Sequence, residues 1–111
     1  MKRKILYPLI LLFCFLFAQK TFANRSSDSL LLAYKNAASD TIRVKILHQL
    51  YLVNDSLPYA QRALEIAEKI KYPRGAAQAL LDIGRWYYFS GKVDLSLDYL
   101  KQNLIVYSLY K

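Results

Sequence analysis

Residues that carry covalent cross-links or acid–base chemistry are scarce in this chain of 111 residues, which has one cysteine, one histidine and three glycines. A single cysteine excludes an internal disulfide framework, and one histidine beside one cysteine cannot build an ordinary transition-metal site. No glycine-rich phosphate loop, nucleophile elbow or pair of catalytic carboxylates is present. The chain is therefore expected to be non-catalytic and to need no metal or cofactor. Strand signals are missing as well, since no window alternates apolar and polar residues and no Asn-Gly or Asp-Gly hairpin turn occurs. Nor does any apolar run reach the roughly 18 residues of a membrane-spanning helix.

What the chain has is apolar residues, at 55% of its length, well above a disordered composition and enough for one domain. Part of that fraction belongs to the N-terminus. Met1-Lys2-Arg3-Lys4 is a basic start, Ile5 to Ala18 is apolar, and Thr21-Phe22-Ala23 puts small side chains where a signal peptidase reads. Residues 1–23 form a secretory signal pattern, with cleavage expected after Ala23 and an exported destination, periplasmic or extracellular. Membrane association is expected only if that segment stays uncleaved. Its removal takes away Lys2, Arg3, Lys4 and Lys20, so the net charge falls from +8 to +4. The remaining basic residues are scattered singly, so no nucleic-acid footprint exists. Cys14 leaves with the same segment, and the mature chain must hold together by packing alone.

Past a polar leader, residues 24–40 hold one short helix, capped by Ser26, Ser27 or Asp28 and carrying Leu30, Leu31, Leu32 and Tyr34. Apolar residues then recur at helical spacing in four further segments. Ile42, Ile46, Leu47, Leu50 and Val53 follow a cap at Asp40-Thr41 and stop at Asn54-Asp55. Ala60, Ala63, Leu64, Ala67 and Ile70 follow Ser56, with Pro58 tolerated in the first turn. A helix opened by Gly75 carries Ala76, Ala79, Leu80, Ile83 and Tyr87 and ends at Ser90-Gly91-Lys92. A last one runs from about Asp94 with Leu97, Leu100 and Leu104. Short connections make neighbouring helices antiparallel, so the unit is a helical hairpin. The hairpin repeats: Ser56 to Leu64 laid over Ser96 to Leu104 matches Ser, Leu, Tyr and Leu at an offset of 40 residues.

Leu80, Ile83-Gly84, Tyr87, Gly91, Val93, Ser96-Leu97, Leu100 and Leu104 together resemble the tetratricopeptide repeat signature. In that pattern Gly84 and Ser96 are small where the two helices of a hairpin meet, Tyr87 fills the groove toward the next helix, and Gly91 makes the turn. Asn103 departs from it, standing where the family prefers Ala, and Leu80 stands where Trp is frequent. The resemblance covers residues 41–107, with a degenerate first copy. It implies an all-α fold, antiparallel hairpins in a right-handed solenoid of about two repeats over 41–111. The spacing and the segment Ala67 to Gly75 look similar to the extracytoplasmic repeat regions of bacterial sensor histidine kinases and helix-turn-helix regulators.

That resemblance implies a protein–protein interaction module, a signalling or scaffold part, whose groove would be lined by Gln78, Leu81, Arg85, Tyr88 and Phe89 and would take a protein or peptide partner. Arg85 beside Tyr88 suits a peptide carboxylate or backbone. Repeat arrays need three or more units, and this one finishes on the apolar stretch Leu104 to Lys111. Either a longer array continues it, or the last helix pairs with itself or a partner; a small secreted structural protein that self-associates through that helix is the alternative reading. The remaining polar pairs, Glu65 with Lys69, Asp82 with Arg85, and Asp94 with Asp98, read as solvated helix faces.

Overall fold

A computed structural model describes residues 26–110, and the expected signal segment 1–23 lies outside the described residues. Within them the chain is all α, with five helices and no strand: α1 (residues 26–35), α2 (Asp40–Asn54), α3 (Leu57–Lys69), α4 (Pro73–Phe89) and α5 (Val93–Tyr110). The periodic segments of the sequence all became helices. Two starts differ from expectation. The α2 cap is Ser39, one residue ahead of Asp40-Thr41; its extended backbone lets its hydroxyl oxygen accept from the Ile42 N–H at 3.3 Å. Asp40 instead sits inside the first turn, where its carboxylate takes Arg43 at 2.8 Å. Helix α4 opens at Pro73 rather than at Gly75, because the first turn does not miss the N–H that proline lacks.

Helix ends are set by backbone handedness. After α4 the chain turns left-handed at Gly91 (φ 83°), the Gly91 N–H reaching the Tyr88 carbonyl at 3.1 Å and the Lys92 N–H the Tyr87 carbonyl at 2.9 Å. After α3 the same pair of bonds recurs, Lys71 N–H to Glu68 and Tyr72 N–H to Ala67, at 3.2 and 2.8 Å. There the left-handed residue is Lys71 (φ 55°), a side chain that does not favour that conformation.

The four long helices pack in chain order, α2 on α3, α3 on α4 and α4 on α5, while α2 also touches α4. Alanines make the close approaches. Ala63 and Ala67 of α3 and Ala76 and Ala79 of α4 are buried around Leu47 and Leu50, with Leu30 and Tyr34 of α1 half-buried on the same cluster, while Ala60 packs with Tyr51 and Ile83 in a second. Between α4 and α5 the spacer is glycine. A Cβ on Gly84 would lie 2.9 Å from Leu100 Cδ2, and the buried Ser96 hydroxyl donates to the Gly84 carbonyl at 2.7 Å. Two turns further along, the Asn103 amide donates to the Ala77 carbonyl at 2.5 Å. The pairings 84 with 96 and 77 with 103 run in opposite senses, as an antiparallel hairpin requires. The Asn that departs from the repeat pattern is thus a hydrogen-bonded joint between the helices.

Replacing Gly84 by Leu forces α4 and α5 apart and costs about 3 kcal/mol by overpacking. Gly91→Ala, whose new methyl meets nothing within 4 Å, costs only about 1 kcal/mol of backbone strain. Urea denaturation of the two variants orders them. In the same assay Lys71→Gly raises stability by about 1 kcal/mol, since it relieves the left-handed lysine.

Candidate functional site

Helices α2 and α4 lie side by side and parallel: a Cβ on Gly75 would meet Val44 at 2.8 Å, and one to two turns further along both helices His48 meets Asp82. Their polar groups converge on one carboxylate. Asp82 is 1% exposed and holds His48 Nδ1 at 2.5 Å on one oxygen and the Gln78 amide at 3.1 Å on the other. With Nδ1 committed to Asp82, Nε2 is the second polar atom that the half-buried ring can offer. Burial pushes the Asp82 carboxyl above the ordinary carboxylate range, and the His48 and Gln78 hydrogen bonds hold it back. Burial likewise raises the Tyr51 hydroxyl, with the charges of Asp82 and Asp55 adding to the shift.

Beside this pair lies a cavity of about 320 Å³ whose lining includes Lys45, His48, Gln49, Tyr72, Arg74 and Gln78. Two full cations and an imidazole line it, together with amides and apolar groups, while the one carboxylate in reach is buried under His48. A second cavity, of about 290 Å³, opens on the other side of α4 and is lined by Arg74, Gln78, Leu81, Asn103 and Tyr107 among others. Arg74 and Gln78 line both and form the ridge between them.

Of the five residues expected to line a groove, Gln78 faces both cavities and Leu81 the second. Arg85, Tyr88 and Phe89 line neither; they are exposed toward the C-terminal end of α4, Phe89 at 83%, with the Tyr88 and Phe89 rings edge to face at 5.5 Å. Trp86 is half-buried against the cluster of Tyr51, Ala60 and Ile83, so it touches the preceding hairpin. The reading of Asp82 and Arg85 as a solvated pair is corrected: Asp82 is buried and partnered by His48, because α2 brings an imidazole to a position 34 residues away in the chain. Glu65 pairs with Arg62 at 3.1 Å rather than with Lys69. One signal for the missed pair was present, since Asp82 interrupts the apolar stripe of Ala79, Leu80 and Ile83.

Among the described residues no three His, Cys, Asp or Glu side chains gather as metal ligands, and no helix is long and apolar enough to cross a membrane. No family model matches the chain, nor does any curated protein or solved structure.

Removing the imidazole leaves a buried carboxylate short of a donor, so His48→Ala costs about 2 kcal/mol at neutral pH. The sign with pH follows from the raised Asp82 pKa. Such a carboxyl favours the folded state when protonated and loses that contribution as pH rises through its folded value, and without His48 the folded value rises further. The cost of His48→Ala is therefore present in full at neutral pH and shrinks as pH falls toward the ordinary carboxylate range, which urea titrations at several pH values measure.

Proposed function

We propose that the chain is an exported, non-catalytic protein–protein interaction module of tetratricopeptide type, in which the parallel α2 and α4 form a groove that takes an acidic segment of a partner protein. The observation carrying this reading is the lining of the α2–α4 cavity. Lys45 and Arg74 supply positive charge, Arg74 can fork two hydrogen bonds to a carboxylate, and Gln78 and Gln49 offer amides to a peptide backbone. Asp82 does not oppose an anion at the surface, since it is buried and paired with His48. It fixes instead where His48 and Gln78 sit, so two polar groups are positioned before any partner arrives.

Several further observations support the module. Helical hairpins stacked in chain order, a glycine and a serine at the closest crossing, and a left-handed glycine at the turn agree with the repeat resemblance. The basic and apolar N-terminal segment supports export. A role as the input part of a bacterial sensor or scaffold fits an exported interaction module whose own residues offer no catalytic constellation.

Fluorescence anisotropy with a labelled oligoglutamate peptide tests the groove. Binding is expected to weaken with added salt and to fall tenfold or more in Arg74→Glu, with oligolysine failing to bind. Absence of binding, or binding indifferent to Arg74, removes this reading.

A further inference from the structure

Helix α5 uses one face for α4, through Ser96 and Asn103, and leaves an adjoining stripe open. Val93, Leu97, Leu100 and Leu104 follow a four-three-four spacing, the narrow apolar seam on which a second helix seats. Three of the four are exposed, at 48%, 49% and 68% for Val93, Leu97 and Leu104, and Leu100 is half-buried at the edge of the stripe, shared with its contact on Gly84 of α4. The open flank of this stripe carries Asp94 and Lys101, both exposed and in no ion pair among the described residues.

We propose that a second copy of this chain covers the seam, its α5 running antiparallel about a two-fold axis. In the register that sets Leu97 on the partner's Leu100 and Val93 on the partner's Leu104, Asp94 falls beside the partner's Lys101, and symmetry repeats the pair. The charges choose the direction: in a parallel pairing the two copies of this flank fall on opposite sides of the seam, so Asp94 meets the partner's Lys101 only when the helices run antiparallel. The seam and its flank cover on the order of 500 Å² per copy, at the low end for specific interfaces, so the dimer is weak, with a dissociation constant of about a micromolar or above. The α2–α4 groove plays no part in this contact.

Sedimentation equilibrium of the purified full chain from low to high micromolar concentration tests it. The expected result is a monomer–dimer equilibrium that Asp94→Lys and Lys101→Asp each weaken tenfold or more, and that the two substitutions together restore. Leu104→Glu is expected to abolish the dimer while leaving the helical circular dichroism unchanged, since Leu104 is already exposed in the single chain. A monomer at every concentration would hand the seam to some other helix and overturn the proposal. Association indifferent to the charge changes, or unrestored by the double substitution, would place the contact elsewhere and overturn it too.

Discussion

The fold depends on how near α5 can come to α4. Two ordinary helices stand apart by the width of their side chains, but here Gly84 has none and Ser96 has little, so Leu100 comes within 2.9 Å of where a Cβ would be and the Ser96 hydroxyl reaches the Gly84 carbonyl. The hydroxyl is buried, and burying it without a partner would be costly, so the hydrogen bond selects this register over its neighbours. Asn103 repeats the device nearer the other end of the pair. Together they fix both how closely and in what alignment the last hairpin closes, and hence which face of α5 remains open.

A comparable polar joint operates between the first helices of the two hairpins. Alanine surfaces of α3 and α4 are smooth and specify little about sliding, whereas the His48–Asp82 bond holds α2 and α4 at one register. Its arrangement sets apart two kinds of charge. The negative one is buried and compensated, and the positive ones, Lys45 and Arg74, stay at the rim of the cavity. One bond therefore acts on both packing and the electrostatic character of the groove, a link that neither helix contains alone.

Local patterns in the chain were enough for the helices and most of their ends, because spacing, caps and turn residues act within a few positions of one another. The turn at Gly91 was readable for that reason, whereas the equivalent turn at Lys71 was not, since nothing about a lysine announces left-handed backbone. The closeness demanded at Gly84 and Ser96 could also be anticipated, as small residues at a hairpin crossing have few other uses. Of the groove residues, Gln78 and Leu81 line cavities, while Arg85, Tyr88 and Phe89 lie on the solvent side of the C-terminal end of α4, whose other side packs Trp86 and Tyr87 against the neighbouring helices.

From the order of residues alone came the all-α class, the hairpin connections and the small side chains at the crossing, all matters of short-range periodicity. The partner of His48, the reason for Asn103 and the cationic character of the α2–α4 cavity arose when helices distant in the chain were brought together. The physical reason is the cost of burying polar groups: an aspartate within an apolar stripe or an asparagine in place of alanine is unfavourable until a donor or acceptor from another helix meets it, and which one does so is a property of the packed molecule.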